Sequence, residues 1–186
     1  MALKATIFKA ELQITDMDRK YYLSHALTLA RHPSETDERM MVRLLAFALS
    51  ADEALSFGKG LSTDDEPDLW QKDLTGVIQH WVEVGLPDER RIRKACARAT
   101  QVTVFIYGGR TADMWWSQNQ GALQRLDNLT VINLPSAATL AMAAQAKRNM
   151  QLQCTIQDGQ IWLLSEGETV HIVPVTLQYG DSKKYR

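Results

Sequence analysis

Cysteine is scarce in this sequence, and the two present, Cys96 and Cys154, stand far apart in no metal-ligand spacing. That excludes a disulfide framework or a zinc cage and leaves core thiols in a reducing compartment. The four histidines, His25, His32, His80 and His171, have no metal spacing either, and no serine or cysteine nucleophile motif accompanies them. Neither sign of charge dominates. With 21 lysines and arginines against 22 aspartates and glutamates, the whole molecule is no electrostatic sink for nucleic acid, so any phosphate-binding surface must be local. A long apolar run is missing too. The least polar stretch, Leu134 to Ala146, contains Ser136, Thr139 and Gln145 and is too short to span a bilayer, and Met1 to Phe8 carries no secretory pattern. These absences predict a cytoplasmic protein with no membrane contact.

What is present is an ordinary globular composition, 45% hydrophobic and 23% charged, in 186 residues. That length supports one sizeable core, so a single domain is expected over residues 1–180. The polar end 181–186 is expected to fray. Leu3 to Ile14 and Tyr21 to Ala30 are rich in β-branched and aromatic residues and flank a polar segment, which predicts an antiparallel pair. Ser34 can cap a helix on which Met40, Met41, Leu44, Leu45 and Ala48 recur at helical spacing, ending near Ser50. A short strand is expected at Ala54 to Phe57, another strand near Leu69, and a longer one from Thr75 to Val84.

Pro87 opens a second helix with Asp88 and Glu89 in its acidic first turn. Ile92, Ala95, Cys96 and Ala99 form its apolar face, and Arg91, Lys94 and Arg98 line one flank. Two strand-then-helix passages follow, Gln101 to Asn119 and Leu129 to Lys147, and predict parallel neighbours in a mixed sheet flanked by helices. The chain then reads as a C-terminal β-meander: Gln151 to Ile156, Gln160 to Leu164 and Thr169 to Leu177, with Pro174 favouring an edge. The fold class is therefore α/β.

The chemistry gathers between Glu66 and Lys94. Pro67 fixes the backbone before Asp68, and alternation along Gln79, Trp81 and Glu83 puts those side chains on one face of a strand, with His80 on the other. If the two strands pair, Asp68 and Glu83 can share a divalent cation. Hard oxygen ligands suit Mg2+ or Mn2+. Lys94, two helical turns beyond the Gly85 turn, could orient a metal-bound water or steady charge on a transferring phosphoryl group. The bland readings are solvated strand-end carboxylates and a lysine lying along a helix flank. Trp70 and Trp81 could stack on a base or simply pack between sheet and helix. Arg91 and Arg98 could contact phosphates or belong to a solvated face.

The stretch resembles the PD-(D/E)XK nuclease-like superfamily: Pro67-Asp68 matches its first element and Glu83-Val84 begins its second, but Gly85 stands where a lysine is expected. Some branches take that lysine from the following helix, which points to Lys94. A resemblance covering nearly the whole chain is to the bacterial YaeQ family, carried by His32-Pro33-Ser34-Glu35-Thr36, Glu66-Pro67-Asp68-Leu69-Trp70, Trp81-Val82-Glu83-Val84-Gly85, Pro87 with Arg91 and Lys94-Ala95, Tyr107-Gly108-Gly109 and Trp115-Trp116. These resemblances imply a restriction-endonuclease-like core, with the Val84 carbonyl as a further metal ligand and Glu38, chosen over Glu35, facing the site. The function expected is Mg2+- or Mn2+-dependent hydrolysis of phosphodiesters in nucleic acid. The alternative is a non-catalytic module that keeps the fold and binds nucleic acid or a protein partner. The sequence sets no oligomeric state.

Overall fold

The computed structural model describes residues 4–181. Strands β1 (Thr6–Asp16) and β2 (Tyr21–Arg31) form the expected antiparallel hairpin. Helix α1 (Asp37–Ser50) follows, then β3 (Leu55–Phe57), β4 (Leu69–Lys72) and β5 (Ile78–Val84). Next come α2 (Glu89–Arg98), β6 (Ala99–Ile106), α3 (Arg110–Leu123), β7 (Leu129–Asn133) and α4 (Ser136–Ala144). The chain closes with β8 (Asn149–Gln157), β9 (Gln160–Ser165), β10 (Glu168–Ile172) and β11 (Val175–Gln178).

These strands make two mixed sheets rather than one. The first runs β10-β9-β8-β1-β2, with β1 parallel to β8; the second runs β11-β7-β6-β5-β4-β3. In the second sheet β3, β4 and β5 are antiparallel, while β6 lies parallel to β5 and β7 parallel to β6. Helices α2 and α3 are the crossovers that parallel neighbours require. The meander is present as β8, β9 and β10, but its last segment splits at Pro174, and β11 leaves to pair with β7 in the other sheet. A proline cannot supply the ladder N–H that an uninterrupted strand needs. The tail expected to fray is anchored at Asp181, whose N–H donates to the Asp127 carbonyl; residues 182–186 lie outside the described ones.

Two cores result. One fills the space between the sheets, where Leu12, Leu152 and Leu163 meet Met41, Leu44 and Leu45 of α1 and Val82, Val84 and Phe105 of the second sheet. The other lies beyond the second sheet, where Trp81, Val104 and Val131 meet Ile92 and Ala95 of α2 and Ala112 of α3. The order of layers is therefore sheet, helices, sheet, helices. Helix α1 is buried from Met40 to Ala48 because both its sides face a sheet. Its cap is Thr36 rather than the expected Ser34: Thr36 Oγ1 accepts the Arg39 N–H at 3.1 Å, whereas the Ser34 hydroxyl is bonded to His32 Nδ1. No helix among the described residues is long and apolar enough to cross a membrane.

Candidate functional site

Pairing of β4 with β5 sets Leu69 opposite Val82, so Asp68, one residue before β4, lies at the level of Glu83. There the two carboxylates part company. Asp68 leaves the ladder and turns its Oδ2 to the Val84 N–H at 2.8 Å, while Oδ1 accepts from Arg39 Nη2 at 2.8 Å. The same Nη2 donates to the Val84 carbonyl at 3.1 Å, and Arg39 Nη1 donates to Glu35 Oε2 at 2.6 Å. Glu35 Oε1 in turn accepts from Arg43 at 2.7 Å. This network is nearly dry, with the Asp68 side chain 1% and Arg39 14% exposed. Gly60 closes on it from the other side. At φ +48° it brings its backbone so near that a Cβ would come within 2.7 Å of Asp68 Oδ1.

Glu83 points the other way, toward α2, as strand alternation requires. Its Oε1 accepts from Trp81 Nε1 at 2.8 Å and from Arg91 Nε at 2.9 Å, and its side chain is 4% exposed. Burial, then the neighbouring Asp68 charge, push the carboxyl up to about 7, against the opposing pull of Arg91 and the indole N–H. His80, on the opposite face, bonds Thr103 Oγ1 at 2.8 Å and is held neutral by burial, its pKa lowered to about 4.

The basic flank of α2 is engaged with the segment before Asp68. Arg91 also donates to the Asp64 and Glu66 carbonyls at 3.1 and 2.9 Å, and Arg98 donates to the Asp65 carbonyl at 3.0 Å. Lys94 does not aim between Asp68 and Glu83. Its Nζ bonds Asp65 Oδ1 at 2.9 Å with 53% of the side chain exposed, and that ammonium holds the Asp65 carboxyl below its ordinary range. An acidic loop docked on the helix outcompetes a reach into the sheet. Arg91 and Arg98, offered as possible phosphate contacts, likewise face protein oxygens. Glu38, expected to face the site, accepts from Thr139 Oγ1 of α4 at 3.3 Å, and Glu35 is the α1 carboxylate tied to Asp68 through Arg39.

Outside this network lies a cleft of about 640 Å³, lined in part by Arg39, Glu83, Val84, Arg91, Tyr107 and Thr111. It opens at the carboxyl ends of the parallel strands β5 and β6, the usual place for a ligand on such a sheet. Gly85, at φ +108°, turns the chain here, and its N–H donates to the Phe105 carbonyl at 2.9 Å. A lysine at that position would be strained by a backbone angle that L side chains rarely adopt. Trp81 is buried against Trp70 at 6.1 Å in an edge-to-face pair, so it packs and orients Glu83 and does not face solvent. Among the described residues, no group of three or more His, Cys, Asp or Glu side chains is arranged to hold a metal ion. Sequence reasoning missed Arg39 and Arg43 and ranked Glu35 below Glu38. The i, i+4 spacing of Glu35, Arg39 and Arg43 was the available signal, but it reads equally as a solvated ladder on a helix surface.

Fold and site together define a class: an α/β protein with two mixed sheets, carrying two buried arginine-held carboxylates, of which Glu83 lines a cleft. The YaeQ protein family matches residues 1–174, and this chain belongs to it. The YaeQ protein of Escherichia coli (strain K12) is 50% identical over 172 residues, covering 92% of this chain and 95% of its own length. That of Salmonella typhi is 52% identical over 163 residues, 88% of this chain and 90% of its own. The crystal structure of YaeQ from Xanthomonas axonopodis pv. citri, 53% identical, superposes with a TM-score of 0.91 over 94% of this chain and 98% of its own. The Pseudomonas syringae YaeQ structure, 35% identical, gives 0.90 over 94% and 97%.

Proposed function

We propose that this protein is a divalent-cation-dependent phosphodiester hydrolase of the nuclease-like kind, acting on nucleic acid. The observation that carries the reading is the shared position of Arg39 Nη2 between Asp68 Oδ1 and the Val84 carbonyl. Two hard oxygens converge there on one positive nitrogen, which stands in for a cation, so the donors fit Mg2+ or Mn2+ with the remaining ligands supplied by water from the cleft that Arg39 and Val84 line. Glu83 lines the adjoining cleft, and its Oε2 makes none of the bonds that hold Oε1. The element order also supports it: α1, then antiparallel β3, β4 and β5, then α2, then β6 parallel to β5. We read this order as compatible with the restriction-endonuclease-like core that the sequence resemblance implies, with Asp68 and Glu83 as its acids.

In this reading Asp68 and the Val84 carbonyl hold the ion. A bound Mg2+ or Mn2+ would lower the pKa of a coordinated water and offset charge on the phosphoryl group. Glu83, poised near neutrality, can hold or release a proton at the cleft wall. Lys94 and Arg98 are hydrogen-bonded to the exposed loop at Asp65, a contact that phosphates can compete for, while the Arg98 guanidinium also lies 5.1 Å over the Trp81 ring. Their release would add positive charge beside the substrate.

The test is hydrolysis of a panel of single-stranded, duplex, branched and RNA substrates with and without Mg2+ or Mn2+. The expected result is cation-dependent cleavage of at least one member that Asp68→Ala and Glu83→Ala abolish; cleavage that survives both variants rejects the mechanism. A second reading, a module that binds nucleic acid or a protein without turnover, is favoured by Lys94 being turned to Asp65 and by a guanidinium filling the cation position. Cation-independent binding with no cleavage across the panel would select it.

A further inference from the structure

Resting on the cation reading above, we propose that Arg39 is the site's resident counter-ion, and that a divalent cation binds only by displacing its guanidinium from Asp68 and Val84. Nη2 is bonded to both oxygens at once, at 2.8 and 3.1 Å, so an incoming ion and this guanidinium compete for the same two donors. A second positive charge cannot be added beside the first without strong repulsion in a site this dry.

Three features make Arg39 a displaceable occupant instead of a fixed strut. Its other arm, Nη1, is bonded to Glu35 at 2.6 Å, so a guanidinium that swings off Asp68 has a second carboxylate to move onto. Glu35 is itself held by Arg43 and does not have to follow the arginine. Asp68 is fixed through Oδ2 by the Val84 N–H, so Oδ1 stays presented when Nη2 departs. The exchange therefore needs side-chain rotation in Arg39 and no shift of α1, which is packed between two sheets.

The arrangement also accounts for why the arginine is present. A carboxylate as buried as Asp68 is costly without a partner, and the guanidinium supplies one whenever the ion is absent. The consequence for binding is a built-in weakening of cation affinity, because each ion gained requires two charge-assisted hydrogen bonds to break. Nothing in this exchange depends on substrate, so it can be read in the protein alone.

The experiment compares Mn2+ binding by the wild-type full chain and Arg39→Met, followed by calorimetry and by loss of the free-ion paramagnetic signal, with no nucleic acid present. Displacement predicts that Arg39→Met binds Mn2+ about tenfold tighter or more, and that adding Asp68→Asn removes the gain. Equal or weaker binding in Arg39→Met overturns the inference and leaves the cation reading standing. No Mn2+ binding by either protein overturns both. A second measurement, independent of how Arg39→Met folds, uses the wild type: on saturation with diamagnetic Mg2+, the 15N guanidinium resonances of Arg39 should shift and the rotation of its Nη2 group should become free. Unchanged Arg39 signals in the Mg2+-saturated protein overturn the inference.

Discussion

Helices α1 and α2 use the same device to different ends. Each begins with a side-chain cap on the N–H of an arginine three residues later, Thr36 for Arg39 and Asp88 for Arg91. Each arginine then reaches a buried carboxylate at the end of the β4–β5 hairpin. The difference lies in what surrounds them. Helix α1 is enclosed by two sheets, and Arg39 answers three acceptors, Glu35, Asp68 and the Val84 carbonyl. Helix α2 covers an outer face, and Arg91, 20% exposed, divides its donors between Glu83 and two loop carbonyls. The inner pair neutralises a carboxylate that the fold buries, and the outer pair leaves Glu83 able to take up a proton.

The largest expected effect breaks the inner pair. Removing one partner of a buried ion pair strands the other's charge, at about 3–5 kcal/mol. Arg39→Ala, which strands both Asp68 and part of Glu35, should show that loss in urea unfolding at pH 7 with chelator present. A cost no larger than that of Arg91→Ala would erase the distinction between the helices.

Next comes the pH dependence owed to Glu83. Its carboxyl holds a proton up to about 7 in the folded protein, against an ordinary value of 4.5. Below 4.5 it is protonated in both states and contributes nothing. Between 4.5 and 7 the folded chain keeps a proton that the unfolded chain has released, so stability falls as pH rises. Above 7 the full cost, about 3 kcal/mol, is in place. Glu83→Gln should flatten that descent when unfolding free energies at pH 5 and pH 8 are compared in chelator. An unchanged slope would show that Glu83 is ionised throughout.

Arg91→Ala should cost less, about 1 kcal/mol, because the stranded Glu83 can neutralise itself by keeping its proton, an escape that limits the penalty of an unpaired charge. Its signature is a Glu83 titration moved to still higher pH, read by carboxyl NMR. A titration that stays in place would mean that Arg91 contributes little to the field at Glu83.

The outer helix was more legible in the sequence than the inner one, for a physical reason. Alternation alone puts Trp81 and Glu83 on one strand face, and helical phase alone puts Arg91 and Lys94 on one flank of α2. What neither contains is the sheet β10-β9-β8-β1-β2 on the far side of α1. It forms because β1 pairs in parallel with β8, far along the chain, and that pairing turns the Glu35, Arg39 and Arg43 ladder from a helix surface into a buried network. The split at Pro174 was half visible: the proline marked an edge, while the jump of β11 to the other sheet depends on partners that only the assembled fold supplies. The docking of the 64–66 segment on α2 is likewise a tertiary contact with no local signal.

The smallest expected effect on stability belongs to Lys94, and it separates two roles for that lysine best. Its partner Asp65 is exposed and the contact is a surface pair, so Lys94→Ala should leave the unfolding midpoint within about 1 °C of wild type. That near-silence makes the variant a clean probe, since any change in cleavage cannot be ascribed to a damaged fold. If the lysine leaves Asp65 to steady phosphoryl charge, Lys94→Ala should lower kcat by about 100-fold, in the range for a single electrostatic group, with cation binding unaltered. If α2 only clamps the acidic loop, cleavage should instead match wild type, and Asp65→Ala should behave the same way. The outer helix would then be a fastening in function as well as in structure, and catalysis would rest on the carboxylates alone.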